Sequence, residues 1–229
     1  MIELKRGSGD QIFIWFVVGM CALLVVMFGF AGYALMAAGE GLGGIFFLFA
    51  LPFIGLTHYV YREAHARSFT RIAINDGNLE LRLPEQRSYV AQEKIETSLP
   101  LSSIKAIEMR AESFRALGTT VLQYAYALVL NDSRRIVLGA DRRFITPFFR
   151  DAASIISNQV QIPIRDLGLV DGTPGFLLVS GQTIPAWDAA SVAPEAMQKR
   201  FKDEAAAWRT VSLIVGAALA LGVIARAFS

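Results

Sequence analysis

The only two histidines, His58 and His65, stand seven residues apart at the end of a strongly apolar run. Two imidazoles near a membrane boundary suit haem or a metal ion. Positions i and i+7 on a helix are about 10 Å apart, however, too far to share one ion without a partner chain. The pair therefore reads as interfacial packing. Five arginines, Arg134, Arg135, Arg142, Arg143 and Arg150, bracket a hairpin and a helix start. They suit anionic headgroups or an acidic partner, at about 1 kcal/mol per basic residue near an anionic leaflet. The competing reading is a solvated edge, with Asp132, Asp141 and Asp151 interleaved as counter-charges. No Gly-rich phosphate loop, paired-His motif or nucleophile elbow is present. The single Cys21 allows neither an intramolecular disulfide nor a cysteine metal site. These residues point to no cofactor, no metal and no enzyme.

The elements that must position these residues begin with three charge-free apolar runs, Ile12 to Ala38, Leu42 to Tyr61 and Thr210 to Ala225. About 18 or more uncharged apolar residues make a transmembrane candidate. A cleavable signal would be shorter and would not be followed at once by a second run. The first run exceeds the need at roughly 40 Å, and the third reaches only about 24 Å. Arg209 and Arg226 can snorkel to the two interfaces, with Trp208 at headgroup level. Pro52 should bend the second helix, since its ring removes a backbone donor. Gly216, Ala218, Ala220 and Gly222 make the third helix smooth, with Gly216/Ala220 and Ala218/Gly222 four apart. Such a surface suits close packing on the hairpin or on a partner subunit.

The short-loop charges set an orientation. Lys5 and Arg6 precede the first run, Arg62, Arg67 and Arg71 follow the second, and Gly39-Glu40-Gly41 between them has no Lys or Arg. Lys199, Arg200, Lys202 and Arg209 precede the third run. The positive-inside bias then places the N-terminus and the insert in the cytoplasm, with the turn and the C-terminus outside. The spans contain no Asp, Glu, Lys or Arg, which argues against an ion or proton pathway.

The insert, Arg62 to Arg209, carries 19 of the 22 Lys and Arg and 17 of the 20 Asp and Glu. That surplus of two is too small for nucleic-acid binding by bulk electrostatics. Phe69 to Ile74 and Leu79 to Leu83 alternate around Asn75-Asp76-Gly77-Asn78, a strong hairpin signal. Further strands are expected at Tyr89–Ala91, Ile95–Leu99, Ile104–Met109, Val121–Leu130 and Arg135–Gly139, with Arg110 to Thr119 as a polar stretch between. Thr146-Pro147 resembles a helix start. From Phe148 to Val160, apolar residues recur at helical spacing.

A membrane hairpin, then short strands, Leu-Pro-Leu-Ser-Ser-Ile-Lys-Ala-Ile at Leu99 to Ile107, then a helix resembles the bacterial membrane proteins with pleckstrin-homology-like domains, over Gly19 to Val160. The resemblance implies a bacterial inner membrane and a partly open antiparallel β-barrel of about seven strands capped by one helix. It also implies protein interaction, scaffolding or lipid contact, and it assigns no single residue a role. The third span and the Ile164 to Ala190 segment depart from that pattern.

The expected fold class is therefore three transmembrane α-helices plus a cytoplasmic α+β PH-like domain. Residues 1–11 form a tail, 12–61 the hairpin and 62–165 the domain. Residues 166–190 are turn-rich, with a possible strand at Phe176 to Val179, and 191–229 are a charged helix running into the third span. The expected function is a non-catalytic, membrane-anchored interaction module, an accessory or assembly subunit. It would contact membrane lipids and other membrane subunits, through the third helix and the domain, and no nucleic acid. The alternatives are a lipid-headgroup-sensing regulator and an unrecognised membrane enzyme.

Overall fold

The computed structural model describes residues 2–5, 7–87, 90–116, 119–142, 147–172, 185–206, 209–210 and 213. Two helices, α1 (Ser8–Ala37) and α2 (Gly43–Phe69), form a hairpin. Both are long and apolar enough to cross a membrane, with mean hydropathies of 2.7 and 1.6. Only 6% and 11% of their most apolar windows are buried, so Phe16, Val26, Phe30, Leu48 and Leu51 face outward. The core helix of a water-soluble domain would hide that surface. The third run lies almost wholly outside the described residues, and its membrane span has no support from them.

The hairpin turn follows from local chemistry. Gly39 takes φ +81° and passes its N–H to Met36, while Glu40 N–H reaches back to Leu35, so the last carbonyls of α1 are satisfied. A Cβ on Gly43 would fall 2.6 Å from the Gly32 carbonyl, so only glycine lets the two backbones approach this closely. Phe28 stacks on Phe53 at 5.5 Å further down. The α2 helix runs unbroken through Pro52.

α2 passes through Thr70 straight into a sheet of four antiparallel strands. They are β1 (Ile2–Leu4), β2 (Arg71–Asn75), β3 (Asn78–Leu83) and β6 (Ile95–Pro100), in the order β1-β2-β3-β6. The β2–β3 turn takes positive φ at Asp76 and Gly77, the two-residue geometry that matches strand twist. The small pair β4 (Gln86–Arg87) and β5 (Val90–Ala91) follows β3. β1 lies within the expected tail. Its alternate residues Ile2 and Leu4 sit opposite Ile74 and Ile72, and Leu4 packs against the core. Both ends of the hairpin thus enter one sheet, so the N-terminus and the domain share a side of it.

A second sheet holds β7 (Ile104–Ala116), β8 (Thr119–Leu130), β9 (Arg135–Arg142) and β10 (Ile164–Asp171), in the order β10-β7-β8-β9. β10 runs parallel to β7, so the domain is mixed rather than a purely antiparallel barrel. The core lies between the sheets, where Ile72, Leu79 and Leu83 meet Ile107, Leu128 and Leu138. α3 (Phe148–Val160) closes it with Phe149, Ala152 and Ile156. Gly139 leaves room for Phe149, whose ring stands 2.2 Å from where a Cβ would be.

The expected polar stretch from Arg110 onward is strand instead. Arg110 and Glu112 are fully buried and pair with each other, and a later segment covers them, so their charges do not oppose strand burial. The start of α3 also differs. Pro147 occupies the cap position, and Asp141 of β9 supplies the cap, accepting the N–H groups of Phe148, Phe149 and Arg150. Thr146 and the possible strand Phe176–Val179 lie outside the described residues.

Candidate functional site

Arg62, His65, Ala66 and Phe69 fall at i, i+3, i+4 and i+7, one face of α2 just past the end of its uncharged run. The strand ends of the first sheet meet that face. Arg82 on β3, then Pro84, Glu85 and Lys94, complete the lining of a groove of about 700 Å³, together with Tyr61. Phe69 is its aromatic floor, with the Arg82 guanidinium 4.2 Å and the Lys94 ammonium 4.7 Å from the ring centre. Glu96 ties the two cations together, 2.9 Å from Lys94 Nζ and 3.6 Å from Arg82 Nε. The Lys94 hydrogen bond holds the Glu96 carboxyl below the usual glutamate range.

Arg62 is half-buried and makes no ion pair among the described residues, and Glu85 is the one carboxylate in the described lining. Trp15 sits at the same level, edge-on to Tyr61 at 5.9 Å, with its indole N–H donating to Ser68 at 3.3 Å. Aromatic residues of this kind favour a membrane–water boundary. Three cations around an open aromatic floor can hold an anion. They offer no nucleophile and no metal-ligand set, and among the described residues no acid or histidine cluster could hold a metal.

His65 lines this groove and His58 does not, so the histidines form no joint site. The arginine cluster is divided. Arg134 and Arg135 sit at the start of β9 and Arg142 at its end, about 23 Å away along a strand of this length. Arg134 pairs with Asp132 at 2.6 Å. Arg142 donates to the Tyr59 hydroxyl, which ties the second sheet to α2. Arg150 is exposed on the first turn of α3, 3.3 Å from Asp151. Arg143, Gly216, Ala220 and Gly222 lie outside the described residues.

Arg135 belongs to a different assembly, which sequence reasoning missed. The Arg110 guanidinium donates to Glu112 at 2.8 Å and to the carbonyls of Pro185 and Ala186, each at 2.8 Å. Trp187 lies over it at 4.1 Å, and its indole N–H donates to Glu108, which also accepts from Arg135. The chain then crosses the outer edge of β10, where Val192 N–H donates to Leu169. A helix over residues 194–206, α4, follows. Its Met197 and Phe201 pack near Ala111, Leu122 and Leu169. Glu204 accepts from the Leu122 N–H at 3.1 Å, and Arg200 pairs with Asp171 at 3.0 Å. Alternation along β7 puts Arg110 and Ala111 on opposite faces, so this strap grips both sides of the sheet.

Neither Arg82 nor Lys94 stands out in the sequence, since each reads as the polar position of an exposed strand or loop. Only the return of the chain beneath α2 sets them against Phe69. No protein-family model, no curated protein and no solved structure matches this chain.

Proposed function

We propose that the chain is a non-catalytic, membrane-anchored interaction module, an accessory or assembly subunit of a larger inner-membrane complex. α1 and α2 cross the bilayer, and the turn between them, which has no Lys or Arg, lies outside. The Lys and Arg flanks keep the N-terminus and the PH-like body in the cytoplasm. The strand meander β2-β3-β6, the second meander β7-β8-β9 and the helix α3 support the PH-like reading of that body. Glu204, near the end of α4, accepts from Leu122 on β8, whose neighbour Gln123 lies opposite Arg142, the partner of Tyr59 on α2, so α4 ends at the hairpin's end of the domain. Thr210 to Ala225 is then a third span, whose Gly216, Ala220 and Gly222 face another helix and whose C-terminus is outside.

The observation that carries the reading is the open seam between the sheets. β6 and β9 each end a sheet, and neither pairs with a further strand among the described residues. A cleft of about 350 Å³ separates them, lined by Thr97, Ser98, Leu99, Arg134 and Ile136 among others. The opposite edge of the second sheet, β10, is covered by residue 192 of the strap, whereas no described residue pairs with the main chain of β6 or β9 across this seam. An exposed strand edge is a template for an added strand, and main-chain pairing with an extended segment of a partner subunit fits it.

The test is native mass spectrometry of the protein extracted gently from its own membrane. A heteromer of fixed stoichiometry with another membrane protein is expected. It should be lost on Ser98→Trp, which fills the cleft, and kept in Ser98→Ala. A lone monomer from the native membrane would overturn the proposal.

A further inference from the structure

We propose that the groove between the end of α2 and the first sheet is a binding site for a phosphate-bearing anion, held by Arg62, Arg82 and Lys94 around Phe69. The inference rests on the membrane-anchored reading of α1 and α2 and is independent of any partner subunit.

Position is the first argument. The uncharged run of α2 ends at Tyr61, and Arg62 begins the next turn, so the groove starts where hydrocarbon gives way to phosphate. Trp15 and Tyr61 mark that level from both helices.

The second argument is unspent charge. Arg62 is partly withdrawn from water and has no carboxylate partner among the described residues. A partly desolvated guanidinium gains most from an oxyanion with matching geometry. Arg82 and Lys94 keep about half of their side-chain surface open, at 54% and 46%, even while paired with Glu96. Arg82 Nε stands 3.6 Å from Glu96, too far for a hydrogen bond, and Lys94 uses one of its three donors there, so several N–H groups remain for a ligand. The cation–π contacts with Phe69 fix where those donors stand before anything binds, which lowers the ordering cost of binding.

The third argument is selectivity by sign. Among the described lining residues three cations face one carboxylate, Glu85, while Glu96 beside the groove offsets part of the charge on Lys94 and Arg82. Its volume of about 700 Å³ admits a headgroup and excludes a folded partner. The shared chemistry is a phosphate, carried either by an anionic phospholipid headgroup or free in the cytoplasm.

The experiment uses the full chain in phosphatidylcholine nanodiscs, with and without phosphatidylglycerol. Native mass spectrometry counts retained lipid, and inorganic phosphate is titrated into the phosphatidylcholine discs in parallel. A retained phosphatidylglycerol adduct is expected. Its retention should fall by about fivefold for each basic residue removed in Arg62→Gln, Arg82→Gln and Lys94→Gln. Glu85→Gln should raise retention, a gain that misfolding does not produce. Lys105→Gln and Arg165→Gln, exposed and outside the groove, should leave it unchanged. Phosphate binding in phosphatidylcholine discs, with the same dependence on Arg62, Arg82 and Lys94, supports the site and assigns it a soluble ligand. Retention indifferent to all three substitutions, or no binding of either probe, overturns it. A chain that stays soluble without any bilayer would instead defeat the membrane reading, and the two failures are distinguishable at the reconstitution step.

Discussion

Two arginines lie over aromatic rings at almost the same distance, Arg82 over Phe69 at 4.2 Å and Arg110 over Trp187 at 4.1 Å. Their surroundings could hardly differ more. The Arg82 side chain is 54% exposed, and its nearest carboxylate, half-exposed Glu96, stands 3.6 Å away. Arg110 is fully buried, and its donors are consumed by Glu112 and two carbonyls of the strap. The stacking is the same and the use is opposite. Burial with complete pairing turns an arginine into a fastener, whereas half-exposure with loose pairing leaves its charge for a ligand.

That comparison is sharpest under truncation. Glu112→Ala strands Arg110 in the interior and should cost about 3–5 kcal/mol, read by thermal unfolding in detergent micelles. The double replacement Arg110→Met with Glu112→Leu should recover most of the loss, because it removes both charges together. If the single variant unfolds like the parent, the pair is not a fastener. Next in size is Asp141→Ala, which frees three N–H groups at the start of α3 and should cost about 1–2 kcal/mol. Hydrogen exchange should show that loss concentrated in the first turn of α3.

Arg82→Gln should change stability by less than about 1 kcal/mol, since exposed pairs contribute little. Its effect belongs to the groove's ligand, and a large fall in unfolding temperature would place Arg82 with Arg110 after all. The smallest effect at neutral pH concerns Tyr126 on β8. Burial, with Asp141 the next cause, pushes its phenol up to about 12. The folded state keeps this proton while the unfolded chain releases it near 10, so the stabilisation is present below pH 10 and is lost as pH rises toward 12. Absorbance titration, with Tyr126→Phe to assign the signal, should show Tyr126 ionising late in the folded protein and normally after unfolding.

Much of the framework was legible. Asp76-Gly77 between alternating runs forms the two-residue turn expected of it, and the apolar stripe of residues 148–160 is a helix whose Phe149, Ala152 and Ile156 reach the core. β1 was missed because three residues carry too little periodicity to declare a strand. The second half of β7 was misread because Arg110 and Glu112 look like loop residues until their cover is known. The five-arginine cluster looked like one patch in the sequence. An extended strand then carried Arg142 about 23 Å away from Arg135, and Arg135 turned toward Glu108 and Trp187.

By itself the chain order determined what depends on neighbours in sequence: two uncharged runs of membrane length, a positive-φ turn, an amphipathic helix. These follow from hydropathy, backbone sterics and helical period, which act over a few residues. Only the tertiary structure decided which charges are spent. Arg110 meets Pro185 and Ala186 from 75 and 76 positions away, and Arg82 meets Phe69 only because β3 returns beneath α2. A charge is neutralised by whatever lies within a few ångströms, and proximity at that range is set by folding rather than by order along the chain.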